Sequence, residues 1–111
     1  MILAIGVDIV QVSRIREAMQ RESFASKILT PNELKLSRTP QFVAGRWAAK
    51  EAVAKAVGTH LAWHDVEILA NEDGKPIATV SGLSADCQVH VSISHEKDHA
   101  VGMAILEQIS R

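Results

Sequence analysis

Tyrosine is absent from this chain, and aromatic residues make up only 4% of its 111 positions. A core built without them is aliphatic, so a monomer of this size would be only modestly stable. Cys87 is the sole cysteine. That excludes an intrachain disulfide and points to a reducing, cytoplasmic setting. An excess of either charge is also missing, with 12 Lys plus Arg against 13 Asp plus Glu. The balance argues against a general nucleic-acid binder and leaves any charged partner to a local patch. No run approaches the roughly 20 apolar residues that cross a membrane. The apolar opening MILAIGVDIV lacks a basic start and is interrupted by Asp8, so it reads as a strand rather than a signal peptide. What remains is an ordinary composition, 47% hydrophobic and 23% charged, which fits one globular domain over residues 1–111.

Ile2 to Val10 is short and rich in Ile and Val, the composition of a buried strand. Ser13 is placed to cap a helix through Arg14, Ile15, Ala18 and Met19 to about Glu22. Thr30 followed by Pro31 starts another. Pro40 introduces a long helix from about Gln41 to Val57, with Gly58 as its stop. Val66 to Ala70 and Ile77 to Val80 are strands joined by the turn sequence NEDGKP. VHVSIS and AVGMAIL form a second pair around the link from His95 to His99. The order, one strand, then helices, then four strands, predicts an α+β domain in which an antiparallel sheet packs with the long helix.

At 100° per residue, Phe42, Ala49, Val53 and Ala56 share the core stripe of that helix, and Glu51 lies far round from them beside Trp47, Ala44 and Lys55. The helix therefore has two packed faces, and its alanines permit close approach by another chain or a ligand. In an ordinary helix Glu51 and Lys55 would be a solvated i,i+4 pair worth about 0.3–0.5 kcal/mol. Asp8 poses a related problem, because an unpaired carboxylate inside a buried strand is costly. A strand end in solvent, or a cap for the Ser13 region, would explain it. So would a metal ligand or general base, and Asp8 with Glu51 supplies two hard oxygen ligands of the kind that hold Mg²⁺ together with water and phosphate oxygens. Ser92 and Ser94 alternate with apolar residues before His95 opens a turn. Such hydroxyl and imidazole groups can hold phosphate or ribose, though an exposed hairpin also carries them. His60 and His64 have zinc-like spacing, but they follow the helix stop and read as loop histidines.

Three separated stretches point the same way: GVDIV (Gly6–Val10), GRWAAKEAVAKAVG (Gly45–Gly58) and VSISHEKDHAVGMAI (Val91–Ile105), with GKP at Gly74–Pro76 between them. Together they resemble the holo-acyl-carrier-protein synthases, the small type of 4′-phosphopantetheinyl transferase, over essentially the whole chain. The resemblance implies transfer of the phosphopantetheine arm of coenzyme A to a serine of an apo-acyl carrier protein in fatty acid biosynthesis. Asp8 and Glu51 would ligate Mg²⁺, Lys55 would contact the same phosphates, and His95 with Ser92 or Ser94 would meet the nucleotide end of coenzyme A. It further implies a homotrimer with its sites between adjacent chains, and an acidic protein substrate met by Arg14, Arg16 and Arg21, of which Arg14 matches the family's carrier-binding arginine. The segment between Leu29 and Gln41 is shorter than is common in the family, and Gly58–His60 reads GTH where many relatives have GTG.

The chemistry needs no covalent step. Attack of a serine on a pyrophosphate requires neutralised oxygens, which a metal ion and a lysine provide, and a base, for which Glu51 and a metal-bound water are the candidates. Two rival classes use similar residues. A Mg²⁺-dependent nucleotide pyrophosphate hydrolase would cleave coenzyme A with no carrier protein present. A non-catalytic cofactor-binding module would have no need of both Asp8 and Glu51.

Overall fold

Thr39 and Gly58 bound the helix that organises the fold. The Thr39 hydroxyl accepts the Phe42 N–H at 3.2 Å, and Pro40 occupies the first turn, where a missing N–H costs nothing. At the other end Gly58 adopts φ 81°, a left-handed value that stops a helix, and its N–H closes on Ala54. The computed structural model describes residues 1–109. Its elements are β1 (Ile2–Gln11), α1 (Val12–Ala18), α2 (Phe24–Ile28), α3 (Pro31–Leu34), α4 (Pro40–Val57), a 3-10 turn (Trp63–Asp65), β2 (Val66–Ala70), β3 (Pro76–Val80), β4 (Cys87–His95) and β5 (His99–Gln108). All strand pairs are antiparallel, but the strands form two sheets, β1-β5-β4 and β2-β3.

The chain is thus α+β as expected, and the helix boundaries near Pro31, Pro40 and Gly58 hold. The first helix differs. It begins at Val12 and ends at Ala18, and Ser13 does not cap it. Instead β1 runs straight into the helix, and the Val12 N–H, one of the free donors at its start, is taken by the Asp98 carbonyl at 2.8 Å. The chain then turns through residues 19–23 into the separate short α2, which places Phe24 against Trp47.

Helix α4 runs diagonally across the three-stranded sheet, with Gly45 over Ile93 of β4, Ala48 and Ala49 over Gly102 of β5, and Ala52 and Ala56 over Gly6 of β1. A Cβ on Gly6 would collide with the Ala52 carbonyl, and one on Gly102 with the Ala49 backbone. This contact explains the alanines. Ala44, Ala48, Ala49 and Ala52 have no exposed surface and Ala56 has 4%. They are consumed by the chain's own packing, which corrects the expectation that they admit a neighbouring chain or a ligand. Gly102→Ala should therefore cost about 3 kcal/mol or more, since backbone rather than a side-chain tip must yield. Denaturant unfolding would measure it, and a loss under about 1 kcal/mol would mean that helix and sheet slide apart freely.

Alternation along β1 sends Gly6, Asp8 and Val10 towards α4 and leaves the other face bare. Leu3, Ile5, Val7 and Ile9 are 47%, 66%, 58% and 63% exposed, and Met103, the register partner of Val7, is exposed beside them. The strand expected to be buried is therefore buried on one side only within a single chain.

On the opposite flank of α4 lies a feature absent from the sequence reading. Thr30 and Glu33 form a reciprocal capping box for α3, but Glu33 is wholly buried and does more. Its Oε1 accepts the Thr30 N–H and the Lys50 Nζ, each at 2.7 Å, and its Oε2 accepts the Ile68 N–H at 2.7 Å. Lys50, 3% exposed, also donates to the carbonyls of Ile28 at 2.7 Å and Trp63 at 3.1 Å. Burial pulls the Lys50 ammonium below its ordinary pKa, and the Glu33 hydrogen bond and charge oppose that shift.

Candidate active site

With α4 covered by the sheet on one side and by α1, α2 and the 3-10 turn on another, a seam stays open along Trp47, Glu51, Ala54 and Lys55. Lys55 turns from Glu51 towards β1, where its Nζ donates to the Val7 carbonyl at 2.9 Å and to Asp8 Oδ1 at 3.2 Å. The solvated Glu51–Lys55 pair is therefore not what forms. Asp8 lies inside β1, which runs on to Gln11, and faces Gly102 across the register, so neither a strand end nor a cap accounts for it. Gly102 has no side chain to crowd the carboxylate. The Asp8 and Lys55 side chains are 19% and 55% exposed, and solvent screening at that exposure makes their pair worth about 0–1 kcal/mol. The fold does not depend on it. Glu51 is half-buried and has no ion-pair partner among the described residues.

Among the described residues no three His, Cys, Asp or Glu side chains cluster as a metal cage. Two carboxylates beside a lysine do not suit zinc, which takes three or four protein ligands. They do suit a hard cation that completes its shell with water and phosphate oxygens.

His95 ends β4 on the helix side of the sheet and borders two adjoining clefts of about 310 and 210 Å³. Arg46 and Phe42 line both, and Gly74 and Pro76 of the GKP turn close the larger one. Arg46 stacks 4.2 Å above the Phe42 ring, and its Nε and Nη2 donate to the Ile68 carbonyl at 3.2 and 3.0 Å. Burial lowers its pKa and the Glu33 charge raises it. The sequence reading passed over Arg46, although it stands in the GRWAAKE stretch, because its neighbours Phe42, Ile68 and the GKP turn meet it only in the fold.

His95 and Asp8 are separated by two strand spacings, with β5 between them, and two register positions, roughly 12 Å. Ser92 and Ser94 do not share a cleft with His95. Strand alternation turns them to the opposite, apolar face, where Ser92 pairs with Met103 and Ser94 with Val101. Grouping them with His95 overlooked the period of two. Cys87 plays no part here: it starts β4, and desolvation, followed by the Asp86 charge, pushes its thiol up and away from the reactive thiolate. His60 and His64 are exposed surface histidines, His60 in the loop after α4 and His64 in the 3-10 turn, and the His64 ring lies 3.0 Å from the Ser26 carbonyl oxygen.

Arg14, Arg16 and Arg21 are exposed and take part in no ion pair among the described residues. Arg21 borders a cavity of about 320 Å³ with Lys27, Phe24, Ile28, Trp47 and Trp63. The rings stack in sequence, Phe24 on Trp47 at 6.0 Å and Trp47 against Trp63 at 4.5 Å. Trp47 lies one turn before Glu51, so this pocket opens onto the same seam. Lys27, Phe24 and Trp63 were missed, although a concentration of aromatics in a chain with 4% of them is a usable signal.

A helix laid on glycines, with a carboxylate–lysine pair on one flank and a histidine–arginine cleft on the other, defines a phosphate-handling α+β protein. Residues 4–104 match the 4′-phosphopantetheinyl transferase superfamily, and the chain belongs to that family. It is similar to the holo-[acyl-carrier-protein] synthases of Geobacillus sp. strain WCH70, at 43% identity over 99% of this chain and 100% of the relative, and of Anoxybacillus flavithermus, at 47% over 99% of each. Its fold matches the crystal structure of a holo-(acyl-carrier-protein) synthase from Bacillus anthracis in complex with CoA (3′,5′-ADP), with TM-score 0.85, 41% identity, and 97% and 98% of the two chains covered. The Helicobacter pylori synthase in complex with coenzyme A superposes with TM-score 0.84 at 26% identity, over 93% of this chain and 99% of that one. The Geobacillus alignment extends over 121 positions for a chain of 111 residues, so that relative carries residues without a counterpart here.

Proposed function

We propose that this chain transfers the 4′-phosphopantetheine group of coenzyme A to a serine hydroxyl of an apo-acyl carrier protein in the cytoplasm, releasing adenosine 3′,5′-bisphosphate. The observation that carries this reading is the Asp8–Lys55 pair one helical turn from Glu51, which has no ion-pair partner among the described residues, on an open seam of α4. Asp8 and Glu51 would hold Mg²⁺, and the ion when bound would supply charge neutralisation on the pyrophosphate oxygens. The Lys55 ammonium, mostly exposed, is free to swing from Asp8 onto the same oxygens. Glu51 would take the proton from the serine Oγ. As Oγ bonds to the pantetheine-bearing phosphorus, the bond from that phosphorus to the bridging oxygen breaks, and the electron pair leaves on the adenosine 5′-phosphate.

The working unit is a homotrimer whose sites lie between chains. The bare apolar face of β1 and β5 supports association. The separation of His95 and Arg46 from Asp8 supports a site shared by two chains, one supplying Asp8, Glu51 and Lys55 and its neighbour His95 and Arg46. Ser92 and Ser94, on the associating face, would reach cofactor held by the adjoining chain. Intact-mass spectrometry of an apo-carrier protein with this chain, coenzyme A and Mg²⁺ should show a gain of one phosphopantetheine. Release of adenosine 3′,5′-bisphosphate without carrier protein would instead identify a pyrophosphate hydrolase.

Arg14, Arg16 and Arg21 form the carrier-docking surface, supported by their exposure and by the aromatic pocket that Arg21 borders. An acidic helix would pair with the guanidinium groups and seat an apolar side chain among the rings. Arg14→Glu should raise the KM for carrier protein about tenfold and leave that for coenzyme A within about twofold. The effect should shrink at high salt. Equal changes in both KM values would place Arg14 elsewhere.

A further inference from the structure

All three hydrogens of the Lys50 ammonium are used, and two of them go to the walls of the aromatic pocket. Ile28 and Trp63 line that pocket, and their carbonyls accept from Nζ at 2.7 and 3.1 Å. The third goes to Glu33, which in turn grips Ile68 of β2 and Thr30 at the head of α3. One cation thus ties the end of α2, the start of α3 and the 3-10 turn to α4. Trp47, which completes the pocket, sits one turn before Lys50 on the same helix. A buried ion pair adds little stability over an apolar pair of equal volume, so stability is a weak explanation for this one. The elements it joins are short, however: α2 has 5 residues, α3 has 4 and the 3-10 turn has 3. Segments of that length do not hold their own place.

We propose that Lys50 and Glu33 are positioning residues for protein-substrate docking, holding Ile28 and Trp63 as fixed walls of the Arg21–Trp47 pocket. The inference rests on the reading that this pocket receives the carrier protein. Lys50 is 3% exposed and its ammonium is engaged by Ile28, Glu33 and Trp63, so its effect passes through the pocket to carrier affinity.

Lys50→Met alone would strand the Glu33 carboxylate, so the informative variant is Lys50→Met with Glu33→Gln, which removes both charges and keeps a capping oxygen for α3. Its KM for apo-carrier protein should rise about tenfold, with kcat and the KM for coenzyme A within about twofold of wild type. Trp47 and Trp63 are the only 2 tryptophans and lie 4.5 Å apart, so near-ultraviolet circular dichroism reads the pocket directly, and their coupled signal should weaken. Adding Trp63→Ala should raise the carrier KM no further, because both changes remove the same wall. An unchanged carrier KM beside an active wild type would overturn the inference alone, as would equal losses towards both substrates. A double variant that fails to fold would make the pair a requirement of folding and overturn it too. A wild type that transfers nothing would bring down the transfer reading and this inference with it.

Discussion

Asp8→Ala and Glu51→Ala should each lower the rate of transfer by about 10²–10³-fold while leaving the melting temperature close to that of wild type. The activity loss follows from removing one of two oxygen ligands beside a transferring phosphoryl group, where each preorganised contact to developing charge carries a large share of the barrier. Stability is preserved because of exposure. The Asp8–Lys55 bridge is screened by solvent, and among the described residues Glu51 holds no ion-pair partner whose loss would leave a buried charge. The two variants should also respond differently to the cation. Raising Mg²⁺ should recover part of the Asp8→Ala loss, since water can replace one ligand. It should recover less in Glu51→Ala, which lacks the proton acceptor as well. Near-normal turnover of either variant at saturating Mg²⁺ would remove the two-carboxylate site.

Charging the bare sheet face should have an effect as large by a different route. Val7→Asp puts a carboxylate in the middle of the apolar surface formed by Ile5, Ile9 and Met103. Burying that charge at an interface is prohibitive, so sedimentation should find a monomer with nearly all transfer lost, even though Asp8, Glu51 and Lys55 are untouched. Complementation separates a shared site from a merely unstable monomer. Glu51→Ala and His95→Ala chains, unfolded and refolded together in equal amounts, should recover about a quarter of wild-type activity, because each of the two chains at a site is intact at its own residue half of the time. A site contained within one chain would recover nothing. A fully active monomer at assay concentration would also defeat the idea.

Much of the fold could be read because its signals are local. Thr39, Pro40 and Gly58 set the ends of α4 through their own backbone preferences, and Thr30, Pro31 and Glu33 start α3 in the same way. The strand runs and the NEDGKP turn obey rules that span a few residues. Asp8, Glu51 and Lys55 stood out for a related reason: a carboxylate in an Ile/Val strand and charges on an alanine helix are conspicuous against their nearest neighbours. Asp8 and Lys55 then proved to be in contact across 47 positions of sequence.

The rest depended on partners far along the chain. Alanine on α4 has the same local meaning whether it faces a neighbour or a glycine, and only the placement of Gly6 and Gly102 beneath it shows that the close approach is internal. Glu33 and Lys50 read as surface charges one by one, because burial belongs to the segments that cover them and to the hydrogen bonds that satisfy them. The split of the strands into two sheets, the distance of His95 from Asp8 across the sheet, and the stacking of Phe24, Trp47 and Trp63 are likewise set by packing at long range. Composition and periodicity specify which groups a segment offers. Which groups meet is decided by the collective burial of many segments at once, and no window of the chain contains that information.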